Sequence, residues 1–142
     1  PLPVSVDVSL GNWSGQRSDT INGTEAVVRF YEQAPLLGTN FNKQLSKKVT
    51  GEGNQFTLKA VPYFFSTEDF DNGSMIYTWR VNNKSAVPGL DPTVMTVSKI
   101  GTDDEQRGAQ QFSASLKIQT ISHLLQEGMA VTAIDLPEES RQ

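Results

Sequence analysis

Residues 75–83 have the sequence Met75-Ile76-Tyr77-Thr78-Trp79-Arg80-Val81-Asn82-Asn83, in which apolar and polar side chains alternate around one tryptophan. Successive side chains of a β-strand point to opposite faces, so Tyr77, Trp79 and Val81 share one face and the residues between them share the other. One apolar and one polar face are typical of a sheet that covers a core on one side only. The segment therefore predicts a central strand of a β-sandwich with Trp79 in its core.

The size and charge of the chain limit what it can be. Its 142 residues suit one domain with a core large enough to fold without cross-links. It carries 12 basic and 16 acidic residues, for a net charge of -4, and has no basic stripe. Proteins that bind nucleic acid concentrate positive charge on one face. We therefore expect no nucleic-acid partner.

Cysteine usage and hydropathy exclude further classes. The chain has no cysteine, so it forms no disulfide and no cysteine-ligated metal centre. No apolar run approaches the roughly 20 residues that a membrane helix needs, so we expect no membrane insertion by this segment. The chain begins with Pro1, which indicates trimming and leaves room for a signal peptide or an anchor outside it.

The N-terminal segment, residues 1–24, divides into two parts. Residues 3–10 alternate, with Val4, Val6, Val8 and Leu10 on one face, and this pattern predicts a strand. Residues 11–23 are rich in Ser, Asn, Gly and Asp and predict a long polar surface loop or a linker. We interpret residues 1–24 as an additional N-terminal strand and loop, either a linker or a strand exchanged with a neighbour.

The rest of the chain predicts further strands. They are expected at 25–33, 55–65, 93–100, 112–119 and 129–136, whereas residues 40–48 have weak helical spacing. Gly, Pro and Asn separate these segments, and no long amphipathic helix lies between them. The prediction is a single all-β domain over 1–142. It has an antiparallel β-sandwich of about seven to nine strands over 25–136 and a frayed tail at 137–142.

Three segments carry a likeness to a known family: Phe56-Thr57-Leu58-Lys59-Ala60, Ile76-Tyr77-Thr78-Trp79-Arg80-Val81-Asn82 and Phe112-Ser113-Ala114-Ser115-Leu116-Lys117-Ile118. Their spacing resembles the B, C and F strands of immunoglobulin-like (Ig-like) domains. It is most similar to the polycystic-kidney-disease (PKD) and related bacterial Ig-like groups. Where PKD domains have Gly-Asp-Gly, this chain has Asn82-Asn83-Lys84. The resemblance implies an Ig-like β-sandwich of a bacterial cell-surface (envelope) protein, in an extracellular location, that acts as a spacer or an adhesive unit.

Catalytic patterns are missing from the sequence. A mechanism that pairs a nucleophile with histidine has to use His123, the only histidine, and no motif surrounds it. One histidine cannot build a zinc centre, and no phosphate-binding loop is present. We therefore predict no catalytic residue and no enzymatic activity.

Aromatic side chains are the candidate ligand-binding residues. Trp13 lies in the polar stretch, where an exposed indole could stack on a sugar or dock a neighbouring domain; the alternative is that it folds back over the end of the sandwich. Tyr63, Phe64 and Phe65 are consecutive, and a strand with one buried face cannot bury all three. We take Trp13, Tyr63, Phe64 and Phe65 as candidate ligand-binding residues.

Two acidic clusters are candidates for a calcium site. Asp69 and Asp71 lie in one connection, and Asp103 and Asp104 lie in another. Calcium takes six to eight oxygen ligands, often from adjacent loops, but neither cluster has the EF-hand spacing. The alternative is a pair of solvated turns. The sequence indicates no other cofactor.

Three functions remain as hypotheses. The first is a non-catalytic extracellular structural or adhesive module, a spacer or assembly subunit that contacts neighbouring domains or subunits of its own protein, or a surface protein or glycan. The second is a carbohydrate-binding β-sandwich module that uses Trp13 and residues 63–65. A pilin-like subunit that donates the strand at residues 4–10 to a neighbour is a variant of the first. The third is an enzyme of unknown type, which is disfavoured because no nucleophile, base or cofactor signature can be assembled.

Overall fold

The computed structural model describes residues 2–21, 25–121 and 126–139. Within these residues the chain forms eleven strands and two short helices. The strands make three sheets of two, five and four strands. The prediction of an all-β protein is therefore confirmed.

Each sheet has a simple order. The first is a hairpin of β1 (Leu2–Leu10) and β2 (Trp13–Ile21). The four-stranded sheet has the order β4 (Gly38–Gln44), β3 (Val27–Ala34), β6 (Gln55–Tyr63) and β9 (Val94–Ser98). The five-stranded sheet has the order β5 (Lys48–Thr50), β11 (Glu127–Leu136), β10 (Gln110–Thr120), β7 (Met75–Val81) and β8 (Lys84–Ala86). The helices are α1 (Thr67–Asp71) and α2 (Asp103–Arg107). Neighbouring strands are antiparallel, except that β5 is parallel to β11.

The two larger sheets share one apolar core. Trp79 on β7 is 1% exposed, and its ring stacks on that of Phe30 from β3, with 5.5 Å between the ring centroids. Its indole Nε1 donates a hydrogen bond to the backbone oxygen of Pro92, 2.8 Å away. The predicted place of Trp79 in the core is confirmed. The alternation that predicted β7 arises because its other face is open to solvent.

The first and last strands of the sandwich place its two termini at opposite ends. Val27 begins β3 and pairs with Tyr63, the last residue of β6. Near the start of β11, a Cβ on Gly128 would lie 3.0 Å from Val28, so β11 begins at the same end. Leu136 ends β11 beside Phe56, near the start of β6. The first residue of the sandwich, Val27, and its last residue, Leu136, therefore lie at opposite ends.

Residues 13–21 correct one prediction. They are not a polar loop but strand β2, which pairs with β1 over nine residue pairs from Leu2–Ile21 to Leu10–Trp13. Gly11 takes φ = +58°, and Gly11 and Asn12 form a two-residue turn. The polar composition of this stretch suggested a loop because it contains few strand-forming residues. Pairing with β1 overrides that weak preference.

Other connections also differ from expectation. The weak helical spacing of residues 40–48 corresponds to no helix: residues 40–44 belong to β4, and the next three connect β4 to β5. Asn82 and Asn83 both have positive φ, 51° and 62°, and close the tight turn between β7 and β8. Asn suits both positions because it tolerates the left-handed conformation better than most other side chains do.

Asp91 fastens the loop before β9 to the four-stranded sheet. Its Oδ2 accepts a hydrogen bond from Lys59 Nζ at 2.9 Å, and its Oδ1 accepts one from the Thr93 hydroxyl at 2.6 Å. Partial burial acts to raise the pKa of the Asp91 carboxyl. The hydrogen bonds from Thr93 and Lys59 outweigh burial and lower the pKa from 3.8 to about 2.

We expect this pKa shift to appear as acid sensitivity. The folded state holds Asp91 at a lower pKa than the unfolded chain does, so the stabilisation is full above pH 3.8 and is lost as pH falls through about 2. The side chain is 49% exposed, so we expect only about 1 kcal/mol. Thermal unfolding of the wild type and Asp91→Asn between pH 2 and 6 measures it. The difference in melting temperature should shrink towards low pH; a constant difference would contradict the assignment.

Candidate functional site

The N-terminal hairpin has one apolar face that is exposed. Val4, Val6, Val8 and Leu10 share a face of β1, and Trp13 lies opposite Leu10 on β2. The exposed fractions are 37% for Val4, 56% for Val6, 49% for Val8, 78% for Leu10 and 64% for Trp13. Among the residues that the structure describes, none of these side chains belongs to the sandwich core. We call this surface the hairpin face.

A groove of about 600 Å³ lies on the hairpin face. The residues that line it are Val4, Val6, Val8, Trp13, Gly15, Gln16 and Arg17. The indole of Trp13 lies over Gly15, since a Cβ at that position would approach Trp13 Cη2 to 2.8 Å. Because Gly15 has no side chain, it leaves room for the indole at this position, which pairs with Val8 of β1.

The hairpin is amphipathic across its two faces. On β1 the opposite face carries Ser5, Asp7 and Ser9, so only one face is apolar. In the described residues β1 and β2 pair only with each other. A two-stranded hairpin alone is marginally stable in water, and a third strand or a packed apolar face is what stabilises it. The hairpin face is therefore suited to contact another surface.

The second group of predicted ligand-binding residues is divided by the backbone. Phe64 has φ = +63°, a left-handed conformation that reverses the direction of the next side chain. As a result Phe65 is only 8% exposed and packs in the core, whereas Phe64 is 56% exposed. Gln126 holds this turn, because its side chain hydrogen-bonds the Phe64 carbonyl and the Ser66 amide at 3.2 and 2.9 Å.

Tyr63 belongs to a small aromatic cluster on the outer side of the four-stranded sheet. Its hydroxyl lies 2.9 Å from that of Tyr31, and the guanidinium of Arg29 lies 5.5 Å from its ring centroid. The hydrogen bond with Tyr31 is the main reason that the pKa of Tyr63 is raised, followed by burial. No ring contact among the described residues joins Trp13 to Tyr63, Phe64 or Phe65. The four candidates therefore do not form one platform, and Phe65 is buried rather than available to a ligand.

The acidic candidates for calcium are also separated. Asp69 and Asp71 lie on α1, where Asp69 is buried and Asp71 is exposed. Asp103 and Asp104 lie in the first turn of α2, and both are exposed.

The next carboxylate of α2, that of Glu105, is hydrogen-bonded to the residue that caps the helix. Glu105 accepts hydrogen bonds from the Thr102 amide and hydroxyl at 2.8 and 3.1 Å, and these bonds lower its pKa. Over residues 2–21, 25–121 and 126–139, no three acidic or histidine side chains come close enough to hold a metal ion. The structure thus gives no support to a calcium site at Asp69, Asp71, Asp103 and Asp104.

Two further predictions concern catalysis and membranes. His123, on which a nucleophile-histidine mechanism depends, lies outside the described residues. In the part of the chain that the structure describes, no helix is both long enough and apolar enough to cross a membrane.

The sequence contained a signal for the hairpin that composition concealed. Leu10 and Trp13 flank the dipeptide Gly11-Asn12, and a Gly-Asn pair after an alternating run indicates a two-residue hairpin. Such a turn requires a second strand that pairs with β1. The pairing places Trp13 opposite Leu10, on the same face of the hairpin as the valines of β1. Alternation is absent from β2 because Gly15 and Arg17 occupy positions on that face.

Comparison of the chain with protein-family models, with curated proteins and with solved structures gave no match.

Proposed function

We propose that this chain is a non-catalytic structural module of an extracellular surface protein, and that it contacts a neighbouring domain or subunit through its hairpin face. The observation that carries the proposal is the exposure of five large apolar side chains on one side of a hairpin outside the core. A contiguous apolar patch on a soluble domain is typical of an interaction site.

The arrangement of the strands supports an Ig-like assignment of the sandwich. In Ig-like domains strands C, F and G share one sheet, whereas B and E share the other. Here β7, β10 and β11 are neighbours in the five-stranded sheet, and β6 and β9 are neighbours in the four-stranded sheet. These are the positions expected if the segments in β6, β7 and β10 correspond to B, C and F. Within the Ig-like domains, the PKD-like group is the narrower assignment that we propose.

The path of the chain supports a spacer or assembly role. The sandwich begins at Val27 and ends at Leu136 at its opposite end. A ten-residue strand such as β11 spans about 30 Å, so modules joined in series would each add about that length.

The two alternative functions have less support. A carbohydrate platform would need several accessible aromatic rings near one another, but Phe65 is buried and Trp13 has no described contact with Tyr63 or Phe64. Donation of residues 4–10 as a single strand would require β1 to leave β2, with which it is fully paired.

Amide hydrogen exchange tests the proposal. We expect the amides of β1 and β2 to exchange at least about tenfold more slowly in the protein isolated from its native source than in a dilute sample of chain 1–142, because docking suppresses local opening. The amides of β10 should exchange equally in both samples and serve as the control. If the hairpin amides exchange equally fast in both samples, the proposed docking is wrong. An antibody against the chain should also label intact cells of the source.

A further inference from the structure

We propose that the hairpin face packs against the same face of a second copy of this chain and forms a two-fold dimer. This inference rests on the proposed function and names the partner of that surface. It follows from the area of the face, its charge and the instability of an isolated hairpin.

The area of the hairpin face is sufficient for a specific contact between two copies. From the exposed fractions of its five side chains, about 500 Å² is open to solvent on each copy. Packing two such faces together would remove roughly 1,000 Å² from water, the lower limit for a specific interface. We therefore expect a weak dimer, with a dissociation constant on the order of 10 μM.

Charge on the hairpin permits this contact. The whole chain has a net charge of -4, which makes two copies repel at random orientations. The sequence of residues 2–21 has three charged residues: Asp7 is on the polar face of β1, whereas Arg17 and Asp19, of opposite charge, pair with Val6 and Val4. A face-to-face approach of two hairpins thus brings together surfaces with little net charge.

The chemistry of the groove favours an apolar protein surface over a glycan or a charged peptide. Its lining is aliphatic or aromatic except for Gly15, Gln16 and Arg17. A sugar requires many hydrogen-bonding groups around its ring stack, and an acidic or basic peptide requires a cluster of opposite charge. A valine-rich face with one indole satisfies neither requirement. A two-fold axis would instead set each apolar strip against an identical one.

Two matched lysine variants test the dimer. Val6→Lys places a charge on the hairpin face, whereas Ser5→Lys places the same charge on the adjacent residue of β1, which points the other way. Sedimentation velocity of chain 1–142 from about 1 to 200 μM should show a monomer–dimer equilibrium for the wild type. Val6→Lys should raise the dissociation constant at least about tenfold, and Ser5→Lys should change it by less than about twofold.

Single cysteines provide an independent test, because the chain has none of its own. Under mild oxidation above the dissociation constant, Val6→Cys should form disulfide-linked dimers much faster than Ser5→Cys does. Equal rates would contradict a face-to-face arrangement. The far-ultraviolet spectrum and the melting temperature of each variant show that the sandwich is folded, so a loss of dimer cannot be mistaken for unfolding.

The outcomes separate this inference from the proposed function. If chain 1–142 is monomeric up to about 200 μM, the second copy is not the partner, whatever the native protein shows. Slower hairpin exchange in the native protein would then still support docking onto a different neighbour. If both measurements are negative, the inference and the proposed function are both wrong.

Discussion

Replacing Trp79 with alanine should lower the free energy of unfolding by about 4 kcal/mol, because the change removes a fully buried aromatic side chain and leaves a cavity. Trp79 is 1% exposed and stacks on Phe30 across the two sheets. It also ties the loop before β9 to β7, through the hydrogen bond from its indole to Pro92. Since small domains have a total stability of about 5–15 kcal/mol, this loss is between about a quarter and four fifths of the whole. Urea unfolding followed by circular dichroism measures the loss.

Trp79→Phe is the matched control. It keeps an aromatic ring for Phe30 but removes the hydrogen bond that leaves the Pro92 carbonyl satisfied. We expect a loss of about 2 kcal/mol, from the smaller buried area and the missing donor together. If Trp79→Ala and Trp79→Phe were equally stable, the ring would not be the contact that joins the two sheets.

The strands of the sandwich could be predicted because a core imposes a period on them. The sequence of β10 places Phe112, Ala114, Leu116 and Ile118 in the core and polar residues between them. Apolar and polar residues alternate in this way in any strand that has one face in the core and the other face in solvent. The order of the strands and the parallel pairing of β5 with β11 could not be predicted from the sequence. Strands pair through backbone groups, which are the same in every residue type except proline.

The aromatic run at residues 63–65 shows where periodicity fails. A regular strand would place Tyr63 and Phe65 on the same face. The left-handed φ of Phe64 breaks the alternation, so that Tyr63 lies in the outer aromatic cluster and Phe65 lies in the core. The sequence could show that the three rings do not fit one face. Which ring turns inward depends on the turn at Phe64, and hydrogen bonds between the Gln126 side chain and the backbone of Phe64 and Ser66 hold that turn. Gln126 is about 60 residues away in the chain, so the local sequence does not reveal this contact.

The hairpin face could be predicted only in part. Alternation in β1 indicates an apolar strip, and the polar surroundings of Trp13 indicate an exposed indole. Their placement on one surface depends on the pairing of Leu10 with Trp13, which the composition of β2 conceals. The strip is also an unusual case, because alternation normally reports burial within the same domain, yet Val6 is 56% exposed. The proposed docking would account for this alternation, because a partner surface rather than the sandwich core would then cover the strip.

Replacing Gly51 with valine should destabilise the sandwich by about 3 kcal/mol, because the core has no space for the added side chain. A Cβ at Gly51 would lie 2.7 Å from Phe56 Cδ2 and 2.8 Å from Leu136 Cδ2, and both of these side chains are buried. The Gly51 amide also donates to the Asp135 carbonyl at 2.9 Å, so the backbone cannot simply move away. Gly89→Val is the control: no atom lies within 4 Å of its Cβ position, and we expect a change below about 0.5 kcal/mol. Urea unfolding of both variants measures the difference. If the two variants were equally stable, Gly51 would not be packed closely against Phe56 and Leu136 as these distances indicate.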